Sequence, residues 1–343
     1  MIKVKKEGVL LYKTNLDFES EGVLNPATMR DGEYVHLFYR AVAKGNRSSI
    51  GYCKLNGPLE VLERYERPVI SPDYEYESQG VEDPRLVKID YEYFLSYTAY
   101  DGVNAMGALA LSKDLIYWHK LGVIVPQITY NEFINFTQDS QVNKNYVRYN
   151  SEANLTKEEK KNMLLWDKNL IFFPRRINNK LCFLHRIRPE IQIVVAVENL
   201  NQLTTEFWKD YFLNFHKYVV LSPKHEHEIS YIGAGCPPIE TEFGWLLIYH
   251  GVHDNANGHV YSACAALLDL ENPEIELARL PYPLFKPEEI WELKGEVNNV
   301  CFPTGTALFD DTLYIYYGAA DERIATASVN MSELLQELLL NKI

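Results

Sequence analysis

The chain has 343 residues, an ordinary globular apolar content of 47%, and 13% aromatic residues that include 24 tyrosines. Its formal net charge of −13 argues against a nucleic-acid-binding protein, because no basic stripe is available to neutralise phosphates. No apolar run reaches the roughly 18 residues of a membrane span, and residues 1–6 lack the apolar segment of a secretion signal.

Five segments of the chain repeat one order of features: a proline with a distinctive residue before it, a polar turn, an aromatic strand and a strand of small residues. The proline steps are Asn25-Pro26, Asp83-Pro84, Phe173-Pro174, Pro237-Pro238 and Phe302-Pro303, and the aromatic strands cover 35–39, 93–97, 181–184, 245–249 and 313–317. Repeats of about 60 to 70 residues with about four strands each are typical of β-propeller blades. A β-sandwich is the alternative, but it does not predict this recurring order. We therefore expect residues 1–343 to form a single all-β domain, a five-bladed β-propeller.

The distance between the second and third repeats is longer than the others, which predicts an insertion over about 129–165. Thr156 and Glu159 form a capping-box signature, so a short helix is expected to begin there. The leucines of 331–340 have helical spacing and predict a C-terminal helix packed against the propeller.

Charged residues lie at both ends of the predicted strand 86–97. Glu82, Asp83 and Arg85 precede it and Asp101 follows it. Charges at the ends of a buried strand are costly unless polar groups lie against them. The pattern therefore predicts a carboxylate site for a polyhydroxylated ligand such as a sugar. The alternative is a simple turn, because Asp-Pro often opens turns and its carboxylate caps backbone N–H groups.

A polar residue follows the aromatic strand in every repeat. In a propeller, equivalent positions of different blades meet around the central axis, where such side chains can form directional hydrogen bonds to sugar hydroxyls. A ring of structural ion pairs is the alternative. The residues expected there, together with two from the preceding loops, are Asn25, Arg40, Asp83, Asp101, Arg186, His250, Asp254 and Asp321.

The five cysteines are scattered and form no C-x-x-C pair, which argues against a structural zinc site or a disulfide framework. Four of them lie in apolar runs, where cysteine usually serves as a small buried hydrophobe. His225 and His227 have no evident third metal ligand in the sequence. We therefore expect a reduced, cytoplasmic protein without a metal or an organic cofactor.

The sequence resembles the β-mannoside phosphorylases and β-1,2-mannosidases of glycoside hydrolase family 130, which are five-bladed propellers. The resemblance covers nearly the whole chain. It is carried by the motifs GVLNPA at 22–27, GVEDPR at 80–85, LHR at 184–186, IGAG at 232–235, IYHG at 248–251 and YYGAAD at 316–321. The family implies an enzyme that acts on β-linked manno-oligosaccharides and inverts the anomeric centre by single displacement.

The resemblance also implies roles for single residues. Asp83 matches the family's catalytic acid, which protonates the leaving oxygen by way of the mannose 3-hydroxyl, and Arg40, Asp101 and Asp321 match positions that hold the mannosyl unit. Glu82, Arg85 and His185 lie within the matched motifs and are expected at the substrate. Because Asp83 must be protonated to act as an acid, we expect burial or the neighbouring Glu82 to raise its pKa.

The nucleophile is the open question of the sequence. The resemblance implies three basic residues around phosphate in the phosphorylases. Lys168, beside Asn169, and Arg186 match two of them, whereas Tyr231 stands where a lysine is expected. Glu226 and Glu228 lie just upstream and would repel phosphate by about a kcal/mol or more at 4–6 Å.

We therefore expect hydrolysis, with Glu228 or Glu226 as the general base that activates water. The alternative is phosphorolysis with inorganic phosphate as co-substrate and mannose 1-phosphate as product. A propeller that binds glycans without cleaving them is the alternative from another class of protein. Resemblance to the hydrolytic branch of the family implies β-1,2-mannosidic linkages as the expected target. The sequence alone does not fix the linkage or chain-length preference, nor whether the chain forms a homo-oligomer.

Overall fold

The computed structural model describes residues 2–138, 142–143, 145–146, 163–256 and 258–343, and these residues are mostly β-structure with few helices. The α-helices are α1 (Tyr130–Thr137), α2 (Thr205–Leu213), α3 (Ile290–Leu293) and α4 (Met331–Leu339), and short 3₁₀ turns cover Asp17–Glu19, Glu75–Glu77, Leu200–Gln202, Phe215–Tyr218 and Glu226–Glu228. The strands are β1 (Val4–Leu11), β2 (Gly22–Asp31), β3 (Tyr34–Ala43), β4 (Arg47–Asn56), β5 (Glu60–Arg64), β6 (Gly80–Ile89), β7 (Glu92–Tyr100), β8 (Ala105–Ser112), β9 (His119–Val123), β10 (Lys168–Phe172), β11 (Leu181–Arg186), β12 (Ile191–Val197), β13 (Val219–Leu221), β14 (Tyr231–Ala234), β15 (Ile239–Thr241), β16 (Gly244–Asn255), β17 (Gly258–Leu268), β18 (Glu276–Arg279), β19 (Cys301–Phe309), β20 (Thr312–Ala319) and β21 (Arg323–Asn330).

The strands form antiparallel meanders that follow one another along the chain. The first meander is β2–β5 and the second is β6–β9, and a single parallel pairing of Ser48 with Gly80 joins them into one eight-stranded sheet. The third is β10–β13, the fourth is β14–β18, and the fifth is β19–β21. Strand β1 pairs with β21, so the start of the chain completes the sheet that the end of the chain forms.

The first strands of neighbouring meanders pack against each other. Strand β2 contacts both β6 and β19, and β10 contacts both β6 and β14. Side chains from different meanders therefore meet along these strands, and the polar residues discussed below come from them and from the strands that follow.

The predicted aromatic strands are confirmed in all five repeats, since they lie within β3, β7, β11, β16 and β20. Two of the predicted proline steps are out of register. Pro174 and Pro237 follow β10 and β14, whereas Pro26, Pro84 and Pro303 lie inside the first strands of their meanders. The reason is that the first strands of the third and fourth meanders, which begin at Lys168 and Tyr231, end before the prolines.

The C-terminal helix is confirmed as α4, which buries Met331, Leu334, Leu335 and Leu338 against the fourth and fifth meanders. The helix expected from Thr156 lies outside the described residues. Sequence reasoning missed α1, whose capping box joins Thr129 and Glu132, and also α2, and both pack in one apolar cluster beside the third meander.

All five cysteines are buried and none forms a disulfide. Among the described helices, none has the length and apolar character needed to span a bilayer.

Candidate active site

Three polar residues occupy equivalent bulges in the first strands of three meanders. Asn25, Asp83 and Asn169 have φ values of 50°, 50° and 53°. The strand register is interrupted at each of them, between Leu24 and Ala27, between Glu82 and Arg85, and between Lys168 and Ile171. Asn and Asp tolerate this left-handed conformation better than other non-glycine residues, and a bulge re-aims its side chain. The bulges thus turn an acid and two amides toward the place where the strands meet.

Asp83 lies in a network of donors. Asn25 Nδ2 donates a hydrogen bond of 2.7 Å to Asp83 Oδ1, and Arg40 Nη1 lies 3.5 Å from the same oxygen. Arg40 Nη2 also donates to Glu82 Oε1 at 2.7 Å, while Arg85 Nη1 donates to the main-chain carbonyl of Asp83 at 2.9 Å. These contacts bring together Asn25, Arg40, Glu82, Asp83 and Arg85, as the sequence predicted.

The expected raised pKa of Asp83 is wrong for the unliganded protein. Burial favours the protonated form, but the charges of Arg40, Lys168 and Arg85 and the hydrogen bond from Asn25 outweigh it and lower the pKa. Glu82 is itself paired with Arg40. The carboxyl is therefore ionised at neutral pH until something weakens the cationic field around it.

Asp321 has the raised pKa instead. Burial raises it, and the charges of Asp83, Glu82 and Glu296 add to burial and outweigh the attraction of Arg40, so that the pKa of Asp321 rises from 3.8 to about 6. Arg40 and Asp321 line a cavity of about 560 Å³, together with Glu21, Asn46 and Glu296. A cavity of this volume is within the range of small-ligand sites.

Asp321→Asn is expected to raise stability at pH 8 but not near pH 4. A carboxyl whose pKa is raised on folding contributes stability that is present below its unfolded pKa of 3.8 and lost as pH rises through about 6. A shift of two pKa units is worth up to about 3 kcal/mol, and nearer 2 kcal/mol because the carboxyl partly faces the cavity. Thermal unfolding from pH 4 to pH 8 should show the difference in Tm growing with pH. A difference that does not change with pH would contradict the raised pKa.

A cluster of cations lies next to Asp83. Arg186 is buried and Lys168 is partly buried, while the half-buried Arg188 places its guanidinium 4.1 Å from the centre of the Tyr231 ring. The Arg186 guanidinium lies 5.5 Å from the same ring. Burial, followed by the neighbouring charge of Arg188, lowers the pKa of Arg186 to about 10, and burial together with Arg186 and Arg188 also lowers the pKa of Lys168. Buried cations that disfavour one another's charge are costly, and an anion bound between them would relieve the cost.

Further buried polar nitrogens lie on the cationic side of the site. Asn169 Nδ2, Arg186 Nε and both ring nitrogens of His250 are buried and have no hydrogen-bond partner among the described residues. Burial, reinforced by Arg186, Arg85 and Arg188, keeps the pKa of His250 well below its usual value, so the ring is neutral. A Cβ on Gly233 would lie within 2.6 Å of both Asn169 and His250. Only glycine at this position leaves room for the two side chains to point inward.

The surroundings of Glu228 and Glu226 differ from those of Asp83. Glu228 is fully buried, accepts a hydrogen bond from the Tyr249 hydroxyl and lies 3.3 Å from Arg279 Nη1. It also accepts from the main-chain N–H groups of Lys224 and His225. Burial opposes ionisation, but Arg279 and these hydrogen bonds lower the pKa of Glu228. Glu226 is exposed on the same 3₁₀ turn.

The arrangement around Glu228 recurs in three other meanders. Each has a fully buried glutamate bonded to a tyrosine hydroxyl and paired with a cation. The sets are Glu19 with Tyr39 and Arg64, Glu77 with Tyr97 and Lys120, Glu228 with Tyr249 and Arg279, and Glu292 with Tyr317 and Lys6. We call them the glutamate–tyrosine–cation triads. The repetition marks Glu228 as part of the scaffold, and the geometry does not support its assignment as general base.

Three further candidates are engaged outside the cationic cluster. His185 is fully buried and bonded to Asp167 at 2.7 Å and to the Tyr211 hydroxyl at 2.8 Å, at the position that tyrosine holds in the triads. Both carboxylate oxygens of Asp101 accept from its own turn, from the N–H groups of Val103 and Asn104 and from the Asn104 side chain. Asp254 is half exposed near the end of the β16–β17 hairpin and bonded to His259.

Sequence reasoning missed Arg188, Gly233 and Tyr261, whose hydroxyl is bonded to that of Tyr231. The available signal for Arg188 was a second arginine two positions after Arg186, which was already a candidate. Among the described residues, one group could present three metal ligands, namely His227, Glu228 and Cys264. Glu228 already serves its triad, so this group offers no open cation site.

Comparison with known proteins agrees with a carbohydrate-active site. A family model described as beta-1,4-mannooligosaccharide phosphorylase, the glycoside hydrolase family 130 model, matches residues 10–144 and 139–339. The chain is 33% identical to a 1,2-beta-oligomannan phosphorylase of Thermoanaerobacter sp. (strain X514), with 97% of this chain and 99% of that protein covered. It is 32% identical to a beta-1,2-mannobiose phosphorylase of the same organism, with 93% of each covered. A solved β-1,2-mannobiose phosphorylase of Listeria innocua has the same fold, with a TM-score of 0.74 at 21% identity over 99% of this chain and 100% of that one.

Proposed function

The chain belongs to glycoside hydrolase family 130, and from this premise we propose that it is a β-mannoside phosphorylase that cleaves β-1,2-linked manno-oligosaccharides with inorganic phosphate and releases mannose 1-phosphate. The observation that carries the proposal is the cluster of the buried Arg186 with the partly buried Lys168 and Arg188, next to buried polar nitrogens of Asn169 and His250 that have no hydrogen-bond partner among the described residues. Water needs no such cluster, whereas a dianion does.

This proposal replaces the hydrolysis that the sequence favoured. The expected repulsion of phosphate rested on Glu226 and Glu228, but one is exposed and the other is neutralised by Arg279. The relatives that match nearly the full chain are named as phosphorylases of β-1,2-linked mannosides. Membership of an enzyme family also disfavours a protein that only binds glycans.

In the proposed reaction, phosphate lies between Lys168, Arg186 and His250 and attacks the anomeric carbon of the mannosyl unit. The bond from that carbon to the glycosidic oxygen breaks, and the leaving oxygen receives a proton that originates from Asp83 and passes through the mannose 3-hydroxyl, as the family resemblance implies. Arg40 and Asp321 hold the sugar in the cavity that they line. Attack and departure on opposite faces of the ring invert the anomeric centre.

The lowered pKa of Asp83 suggests when this proton is acquired. Lys168 and Arg85 contribute to holding Asp83 ionised in the unliganded protein. A phosphate dianion beside Lys168 would offset that cationic field and add a negative charge nearby, and both effects raise the pKa of the carboxyl. We infer that phosphate binding and protonation of Asp83 favour one another.

The fold that supports this site is, in our proposal, a single five-bladed β-propeller. Five successive meanders, the contacts between their first strands and the pairing of β1 with β21 are what a closed ring of blades requires. We place the enzyme in the cytoplasm, because five buried cysteines without a disulfide suit a reducing compartment.

The test is product analysis of β-1,2-mannobiose and β-1,4-mannobiose, each with and without inorganic phosphate. We expect mannose 1-phosphate and mannose in equal amounts from the β-1,2-linked substrate, only when phosphate is present. Phosphate-independent release of mannose at a comparable rate would restore hydrolysis. Faster cleavage of the β-1,4-linked substrate would refute the proposed linkage while leaving phosphorolysis in place.

A further inference from the structure

Two arginines that are two positions apart in the sequence present their guanidinium groups to the same aromatic ring. Arg186 ends β11 and Arg188 lies in the turn that follows it, while Ile187 between them is buried in the core. Their guanidinium carbons lie 5.5 Å and 4.1 Å from the centre of the Tyr231 ring. Guanidinium groups stack well on aromatic faces and keep their edges available for hydrogen bonds.

Carboxylates balance part of the positive charge near this ring. Lys168 is held in its charged form chiefly by Glu82 and Asp83, against burial and against Arg186 and Arg188. The positive charge of Lys168 is therefore partly balanced by these two carboxylates. For Arg186, burial and the neighbouring Arg188 are the largest influences and both disfavour its charge, and the neutral His250 lies near enough to both arginines to feel their charge. Two guanidinium groups match the oxygens of a tetrahedral dianion better than one.

We propose that Arg188 is a phosphate-binding residue that selects inorganic phosphate over water as the nucleophile, and that Tyr231 is the positioning residue that holds Arg186 and Arg188 side by side. This inference deepens the proposed phosphorolysis and rests on it. Tyr231 is 1% exposed and its hydroxyl is bonded to Tyr261, so the ring has a fixed orientation. The tyrosine thus supplies no charge itself but offers its ring to both guanidinium groups.

The test compares steady-state kinetics of wild type, Arg188→Gln and Arg188→Lys in both directions of the reaction. We expect Arg188→Gln to raise KM for inorganic phosphate and for mannose 1-phosphate by about 10- to 100-fold, the usual effect of losing a charge-assisted contact. KM for β-1,2-mannobiose should change by less than about threefold, because Arg188 does not line the sugar cavity. Arg188→Lys keeps the charge but not the planar fork and should give an intermediate KM for phosphate.

A matched control is Arg175→Gln. Arg175 also lies over a buried ring, 4.9 Å from the centre of Trp245, but it pairs with Glu240 at the surface. This control should leave every kinetic constant near wild type. A phosphate KM within about twofold of wild type in the Arg188 variants would overturn the inference. Should Arg188→Gln fail to fold, Arg188→Lys alone must still raise that KM by at least about threefold.

The two proposals fail in different ways. If wild type cleaves the substrate without phosphate, phosphorolysis itself is wrong. If wild type requires phosphate and the Arg188 variants keep its KM, only the role of Arg188 is wrong. Tyr231→Phe retains the ring and should raise the phosphate KM far less than Tyr231→Ala, and equal effects of the two would contradict the positioning role.

Discussion

Asp83→Asn is expected to lower kcat for phosphorolysis of β-1,2-mannobiose by about 10²–10⁴-fold, the range lost when a general acid is removed. Asparagine can occupy the left-handed conformation of this position, where φ is 50°, and can still bond to Asn25. The fold should therefore survive while the proton donor is lost. Initial rates with saturating phosphate, together with the Tm and the circular dichroism spectrum, measure the effect.

The control for this variant is Asp90→Asn. Asp90 has a similar φ of 54° at the far end of the same strand pair and contacts Arg176 at the surface. It tests whether an Asp-to-Asn change in a left-handed turn harms the protein in general, and its activity should match wild type. An Asp83→Asn enzyme with kcat within about tenfold of wild type would remove Asp83 from the role of acid.

The pH dependence of the acid could not be predicted from the sequence. The sequence shows the adjacent Glu82 and the apolar strand that predicts burial, and both suggested a raised pKa for Asp83. The opposing groups Arg40 and Lys168 lie 43 and 85 positions away in the sequence, and only the fold brings them close enough to lower the pKa. The same convergence moves the raised pKa to Asp321, which comes from the last meander.

The bulged residues show which site positions a local sequence motif can predict and which it cannot. The proline after Asn25 and Asp83 marked these positions correctly, because both prolines lie inside first strands. Asn169 is their counterpart in the third meander, but leucine follows it, so the search for proline selected Phe173 instead. The position of a bulge depends on the strand register. Without a proline after the bulged residue, the sequence of the third meander gives no local sign of that register.

Glu228 is the predicted site residue whose surroundings fit its predicted role least. The sequence has Tyr231 where the phosphorylases have a lysine, and the acidic residue just before it was interpreted as a general base that activates water in place of phosphate. A signal against this was available, because a triplet of acid, aromatic ring and glutamate lies 20 residues before Tyr39 and Tyr97 and 21 before Tyr249. The triplets Asp17-Phe18-Glu19, Glu75-Tyr76-Glu77 and Glu226-His227-Glu228 are the same 3₁₀ turn in three meanders. Repetition in a catalytic scaffold indicates structure, whereas catalytic residues differ from one repeat to the next.

Glu228→Gln is therefore expected to reduce stability and to leave catalysis by the folded enzyme largely intact. The change leaves Arg279, whose side chain is 2% exposed, without its buried partner. Breaking one side of a buried ion pair typically costs about 3–5 kcal/mol, which corresponds to a fall in Tm of about 4–7 °C for a chain of this length. Because the pKa of Glu228 is lowered by folding, the stability it provides is present above pH 4.5 and is lost as pH falls through the lower folded pKa. The Tm difference between wild type and variant should accordingly shrink in acid.

The matched variant is Glu19→Gln, which breaks the equivalent triad in the first meander, where Arg64 lies 2.9 Å from Glu19. If Glu228 serves the scaffold, both variants lose similar stability and both keep kcat/KM for β-1,2-mannobiose within about fivefold of wild type when assayed well below their Tm. A general base would behave differently, since its removal would lower kcat by about 10²-fold or more in Glu228→Gln alone. The comparison separates the two roles because both triads join a buried glutamate to a tyrosine hydroxyl and an arginine, whereas only Glu228 was a candidate for the general base.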